Sequence, residues 1–521
     1  MVSSRAVSSE VTPGAAGSAA VVPSLDEVPY PTAFFGHPRG LATLGFTEFW
    51  ERFSYYGMRA LLILFMTADG VKGGLGFATT KAGAIYGLYT ASVYLACLPG
   101  GWIADRLIGQ RRAVLAGGCI ITLGHFAMAV PSVPTFYLGL VLIVAGTGLI
   151  KPNASTMVGE LYPGENARRD AGFSIFYMLF NLGATVAPLI CGWLGEKVNW
   201  HMGFAAAGLG MALGVVQYVR GGRYLGRAGL RPNAGDDVAG MRRARKALAA
   251  VAAAALALAL LMITGVVPIT APQLATAATV GIIALAVAYF LFQFAFGGLD
   301  RRETRRMLAI MVLFIFSVMF WLGFEQAGSS LNLFAERMTD RGILGWQMPA
   351  SVLQTVDPAF VILLAPLLAW LWIALGRRNP SSPAKFAVGL LFMGLGFGAM
   401  VLASLASVGH ALADPHVVAR RVSMWWLVLT YLFSALGELC LSPVGLSTVT
   451  KLAPHRKVSQ MMGIWFLSLS LGNLIAGQIA GRFETFPLFQ IFGVVALVTG
   501  GAGIVLLVLV RPIRALMSGA E

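Results

Sequence analysis

Charge is scarce in this chain. Only 12% of its 521 residues are Asp, Glu, Lys or Arg, against 57% from the set AVILMFWYC, and the mean hydropathy is +0.76. Soluble domains carry about 25% charged residues. Half that share excludes a soluble globular enzyme and a disordered chain alike, and leaves an all-α polytopic membrane protein. Acidic residues are scarcer still, 23 against 38 Lys and Arg, for a net charge of +15. A nucleic-acid partner would need that charge gathered on a water-facing domain, and none is evident. Cysteine is rare too: Cys97, Cys119, Cys191 and Cys440 all fall in apolar segments, where neither a disulfide framework nor a metal site has support. Residues 1–40, rich in Ala, Ser, Gly, Val and Pro, lack the ordered features of a signal peptide. They read as a disordered tail, so the first span is expected to be its own insertion signal. No nucleophile with a base and no metal-ligand cluster appears, and His455 beside Arg456 has no evident partner, which argues against an enzyme.

Apolar runs are abundant. A crossing needs roughly 20 mainly apolar residues, and fourteen segments qualify: 41–67, 80–104, 112–131, 135–155, 170–194, 201–220, 246–265, 272–297, 306–334, 347–375, 385–408, 423–450, 458–481 and 486–510. An even count puts both termini on one side. With the N-terminus inside, 27 of the 38 basic residues fall on inner loops and tails, eight of them between Arg220 and Lys246. The positive-inside rule then places both ends in the cytoplasm. The expected organisation is a tail (1–40), a six-helix bundle (41–220), a basic linker that sets topology and meets anionic lipid (221–245), an inserted helix pair (246–297), a second bundle (306–510) and a tail (511–521).

Away from the span ends, eight Asp, Glu, Lys or Arg residues lie inside these spans: Glu48, Glu51, Arg52, Arg59, Lys151, Glu325, Asp357 and Glu438. Each costs about 2.5–3.5 kcal/mol at mid-bilayer on the insertion scale, so unpaired they would cost on the order of 20 kcal/mol or more. They must pair or line a wet cavity. On a helical wheel Glu48, Glu51, Arg52, Tyr55, Tyr56 and Arg59 share an arc of about 140°. Two Tyr hydroxyls and a surplus of guanidinium favour a substrate cavity over a packing stripe. Cations on one bundle (Arg52, Arg59, Lys151) and anions on the other (Glu325, Glu438) suit a zwitterion such as an amino acid or peptide.

The loop Gly101–Arg112 matches the G-x-x-x-D-R-x-x-G-R-R/K pattern of the major facilitator superfamily through Asp105, Arg106 and Arg111, with Gln110 at one basic position. Its small residues permit close helix approach, and Asp105 can accept from a helix end or an Arg. A weaker echo, Gly376, Arg377 and Arg378, occupies the corresponding loop of the second half, as two repeats would give. Glu48–Tyr56 (EFWERFSYY) resembles the E-x-x-E-R-F-x-Y-Y motif of the proton-dependent oligopeptide transporter family of that superfamily. Phe173–Gly183 (FSIFYMLFNLG) is similar to its F-Y-x-x-I-N-x-G signature, with Phe180 in place of Ile. Gly437–Leu446 and the stretch around Trp465 resemble two further signatures.

The resemblance, from about residue 40 to 510, implies a major facilitator fold of two six-helix bundles plus two helices inserted between them as in bacterial members. It implies that Arg52 and Lys151 receive a peptide carboxylate, and that Glu438, with Asn181, receives the ammonium. Tyr55, Tyr56, Tyr89, Trp321 and Trp465 would form side-chain pockets. Glu48 and Glu51 would handle protons against Arg52, with Glu325 also on the coupling route, and Arg59 and Glu325 would form an outer gate. Gly87 stands where mammalian-type members place a histidine, so coupling cannot use that group, and His125 reads as polar packing. Asp357 stands where many members have Asn and could add to ammonium binding. The expected protein is a proton-coupled symporter of di- and tripeptides in a bacterial cytoplasmic membrane, working as a monomer with no cofactor beyond the proton gradient. Nitrate or drug transport, or peptide sensing without flux, are the alternatives; nitrate needs no ammonium receptor, and no soluble output domain is apparent.

Overall fold

The computed structural model describes residues 32–163, 166–230, 240, 242–243, 246, 249–250, 269–408 and 420–517. The first bundle comprises α1 (Arg39–Thr67), α2 (Thr79–Ile103), α3 (Gln110–Met128), α4 (Val133–Glu160), α5 (Asn166–Ala187) and α6 (Trp200–Gly221). An additional helix, α7 (Ala271–Phe296), follows. The second bundle comprises α8 (Arg301–Phe324), the short α9 (Ser330–Arg337), α10 (Val356–Ala374), α11 (Ser382–Val408), α12 (Trp425–Leu452), α13 (Val458–Ala480) and α14 (Leu488–Met517). Eleven described helical segments are long and apolar enough to cross a membrane. Two more long helices, α1 and α3, fall outside that set because Glu48, Glu51, Arg52 and Arg59 in one and Arg111 and Arg112 in the other dilute their apolar character. Most of the first inserted span expected at 246–265, and about half of the basic linker, lie outside the described residues. The face on which α1 begins is called the near face below, and the opposite one the far face.

Local signals account for the helix starts. Asp300 accepts from the N–H groups of Arg302 and Glu303 at 2.7 Å while Glu303 returns a bond to the Asp300 N–H at 3.1 Å, a reciprocal cap that opens α8. Thr270 and Gln273 do the same for α7, and Asn199 caps α6 through the His201 N–H. Pro152 cannot donate to the carbonyl one turn earlier, and that Gly148 carbonyl sits where a Cβ on Gly100 of α2 would lie 2.0 Å away. Small residues set the packing distance: a Cβ on Gly117 of α3 would meet Gly146 O of α4 at 2.6 Å, and the reverse holds at the same distance.

Several boundaries differ from the expected ones. Residues 32–38, assigned to the tail, form a small antiparallel hairpin that turns through Phe35 and Gly36 at positive φ. It is tied down by Arg168 donating to Gly36 O at 2.5 Å and by His37 bonding the Tyr162 hydroxyl at 2.9 Å, contacts from elements 125 or more residues away. The span expected at 306–334 breaks at Glu325–Gly328, a tight turn between α8 and α9. Helix α5 passes through a wide turn at Pro188–Gly192 into a short helix, Trp193–Lys197. Helix α14 runs on to Met517, into the expected tail.

The bundles meet most closely where α2 packs on α13. A Cβ on Gly83 would lie 2.5 Å from Gly477 O, and Thr80 donates to Gly481 O at 3.1 Å. Further cross-bundle bonds join Thr79 to Glu484, Asn332 to Ala60 O and Thr355 to Thr185 O in the far half, and Ser470 to Ala91 O nearer mid-depth. The far side of the seam is therefore closed. Helix α7 lies against both α2 and α13, pinned by Gln478 to Thr279 at 2.7 Å and by Lys457 to Gly297 O at 2.7 Å.

Candidate functional site

The polar arc of α1 faces the seam between the bundles. Arg52 Nε stands 2.5 Å from Glu51 and 3.1 Å from Glu48, with all three side chains at most 4% exposed. Glu48 and Arg52 are i, i+4 neighbours on one helix face, whereas Glu51 is adjacent to Arg52 in the chain. The guanidinium also lies over the Phe180 ring of α5 at 4.8 Å and near the Tyr55 ring at 5.6 Å. Its Nη2 and the Glu51 carboxylate oxygens are buried without an aligned hydrogen bond among the described residues. A buried guanidinium edge left unsatisfied is costly, and a carboxylate-bearing ligand would satisfy it. Lys151 of α4 comes to the same place: its electrostatic neighbours are Arg52, Glu51 and Glu48, and its ammonium sits 4.1 Å from the centre of the Tyr94 ring.

Two turns farther along α1, Arg59 Nη2 donates to Glu325 Oε2 at 2.7 Å, and Nε donates to the Tyr86 hydroxyl at 2.6 Å. Arg59 and Glu325 are 3% and 2% exposed. This pair joins the bundles, because Glu325 opens the break between α8 and α9.

Across the seam Glu438 of α12 meets the Tyr177 hydroxyl of α5 at 3.5 Å, and the Tyr177 carbonyl accepts from Asn181 at 3.0 Å. Tyr177 thus brings Glu438 and Asn181, 257 residues apart in the sequence, to one point. Asp357 of α10 is an electrostatic neighbour of Glu438; Ser434 faces it, and its Oδ1 has no hydrogen-bond partner among the described residues. Among these residues the first bundle sets three cations against Glu48 and Glu51, and the second bundle contributes carboxylates alone.

The aromatic residues divide. Tyr55 and Tyr89 stack at 6.4 Å, and Tyr56 contacts Phe180, which stacks on Tyr177 at 5.7 Å. These line the charged seam. Trp321 is buried among Phe320 and Phe324, its indole N–H without a hydrogen-bond partner among the described residues, and Trp465 packs on Phe386. Asp105 and Arg106 lie apart, exposed on a turn at the near face, where Asp105 receives the Gln110 amide at 3.5 Å in place of an Arg. The loop's third charged member, Arg111, clamps the segment after α6 through Gly226 O and Ala228 O. His125 of α3 is fully buried against α6, and neither ring nitrogen has a hydrogen-bond partner among the described residues.

Three residues of the site escaped sequence reasoning as individuals. Tyr86 and Tyr94 lie on α2 with Tyr89, three and five positions away, and that spacing was the available signal. Tyr177 lies inside the quoted FSIFYMLFNLG run, but its bond to α12 is a tertiary fact.

Two helical bundles enclosing an ionic seam in a multi-pass membrane chain define a protein of the major facilitator fold. Residues 111–495 match the POT family, and the chain belongs to that family. It is 41% identical to a peptide transporter of Yersinia enterocolitica, over 94% of this chain and 97% of that one, and 43% identical to an uncharacterised transporter of Bacillus subtilis, over 93% and 96%. A crystal structure of a POT peptide transporter in complex with sulfate superposes with a TM-score of 0.86 at 40% identity, covering 95% of this chain and 99% of that one.

Proposed function

We propose that the chain is a proton-coupled symporter that imports di- and tripeptides by alternating access of its two bundles. The observation that carries this reading is the charge layout of the seam. Arg52, shared between Glu48 and Glu51, keeps an unbonded edge on one side, while Glu438 with Tyr177 and Asn181 stands on the other. A peptide is a small solute whose two ends carry the complementary charges. Relatives named as di-/tripeptide transporters, such as one from Lactococcus lactis at 37% identity, support it.

Protonation of Glu51 or Glu48 from outside weakens the hold on Arg52, which then receives the peptide carboxylate with Lys151. The ammonium goes to Glu438 and Asn181, with Asp357 adding negative charge nearby. Tyr55, Tyr56 and Tyr89 flank the side chains, with Trp321 and Trp465 at the pocket margins. Proton and peptide must favour the same conformation for the two fluxes to couple. In this reading the near face is cytoplasmic, both termini lie there, the bacterial cytoplasmic membrane is the site of action, the monomer suffices, and the proton gradient replaces any cofactor.

The test is uptake of labelled dialanine into proteoliposomes under an imposed pH gradient. Gradient-stimulated uptake is expected, and its absence defeats the symport reading. Glu51→Gln is expected to abolish driven uptake while peptide exchange persists; Arg52→Ala is expected to lose both. Stimulation by nitrate in place of peptide would move the assignment to anion transport.

A further inference from the structure

The far face carries a second ionic contact across the seam, away from the Arg59–Glu325 pair. Glu196 sits in the short helix after α5, within the first bundle. Its Oε1 accepts from the Ser351 N–H at 2.7 Å and the Ser351 hydroxyl at 2.5 Å, and its Oε2 accepts from the Ala350 N–H at 2.8 Å. Arg341 Nη1 stands 3.8 Å from the same carboxylate. Ala350 and Ser351 belong to the second bundle and are fully buried.

Those two N–H groups are the free donors at the start of the turn Ser351–Thr355, which leads straight into α10. The first N–H groups of a helix need partners from outside. The residue preceding this turn is Ala350, which has no side chain able to cap it, and neither this turn nor α10 has a side-chain cap of its own. The missing cap is supplied by the other bundle.

The contact continues along one face of the α5 extension. Gly192 lies one turn before Glu196, and a Cβ there would stand 2.3 Å from Ser351 Oγ. About two turns further back, the Thr185 carbonyl accepts from Thr355 at 3.1 Å. Asp357 begins α10 just beyond, so this helix start links the far face to the acidic side of the seam.

We propose that Glu196 is a second gate residue: it caps α10 across the bundle boundary when the far face is closed, and gives up that cap to water when the far face opens. The proposal rests on the alternating-access reading above. A carboxylate accepting three hydrogen bonds at low exposure holds its partners more strongly than neutral groups do. Losing it should raise the ratio of far-open to far-closed molecules on the order of 10- to 100-fold.

The experiment uses the full chain in proteoliposomes, spin-labelled at Val71→Cys and Leu344→Cys. These two positions are fully exposed in far-face loops of opposite bundles. Distances between the labels are measured by double electron–electron resonance. Glu196→Ala is expected to enrich the longer distance. Gly192→Ala, which leaves the carboxylate in place but wedges the contact, is expected to do the same. Adding Ala350→Asp to Glu196→Ala gives α10 a cap within its own bundle. If Glu196 gates, that cap does not restore the short distance; full restoration shows that it only stabilises a helix end and overturns the proposal. An unchanged distance in both single variants also overturns it. Dialanine uptake by the wild type, measured in parallel, reports separately on the transport reading.

Discussion

Removing Glu325 leaves the Arg59 guanidinium buried with the Tyr86 hydroxyl as its remaining hydrogen-bond partner and the Tyr56 ring at 5.6 Å. Breaking a buried ion pair by taking away one partner costs about 3–5 kcal/mol, because the other charge stays behind without its counter-ion. The Tyr86 bond and the ring contact persist, which argues for the lower end, about 3 kcal/mol. At about 1.4 kcal/mol per tenfold, Glu325→Gln should shift the balance against the far-closed state by roughly 100-fold. In the far-open state both groups meet water, so the penalty falls on one side of the equilibrium only. Replacing both residues, Arg59→Met with Glu325→Gln, removes the stranded charge and should recover about 2 kcal/mol relative to the sum of the single changes. The assay is a double-mutant cycle on the far-face distance distribution, with dialanine uptake alongside. Additivity within about 0.5 kcal/mol, or an unchanged distribution for Glu325→Gln, would refute the claim that this pair holds the far face shut.

Two further outcomes follow from local geometry. Gly83→Ala forces a Cβ within 2.5 Å of the Gly477 carbonyl, whereas Gly87→Ala meets Asn473 O and Gly477 Cα at 3.1 Å; uptake should therefore fall far more for the first than for the second, and equal losses would show that the seam adjusts freely. At the near face, burial and then Arg168 hold the His37 ring below its ordinary pKa, so the neutral form is favoured in the folded chain. Its contribution is complete above about pH 6.5 and is lost as pH falls through the lowered value. His37→Phe, which cannot protonate, should lose less melting temperature between pH 7.5 and 5.5 than the wild type, and parallel losses would exclude this contact as a cause.

Much of the site was legible because it is local. Glu48, Glu51, Arg52, Tyr55, Tyr56 and Arg59 lie within three turns of one helix, so their common face follows from helical periodicity alone. Gly87 was legible as the absence of a histidine; the reason for it was not. Helices α2 and α13 approach so closely there that even one added carbon is tight in this conformation. Trp321 and Trp465 were expected as pocket residues, and the structure sets both against Phe side chains of their own bundle. Glu196 offered no signal, being one more carboxylate near the end of an apolar run, and its partners are backbone N–H groups, which no sequence pattern marks.

The sequence by itself determined that this chain lives in a bilayer, roughly where its helices run and which side chains are too polar to face lipid. Hydropathy and helical period depend on neighbours a few residues apart, so they survive without a structure. Only the tertiary fold decided which charges meet. Arg59 reaches Glu325 across 266 residues, Tyr177 joins Asn181 to Glu438, and Glu196 finds the open end of another helix. Each of these depends on how two bundles close against one another, and the groups that must be paired when they close are those that water would solvate if they did not.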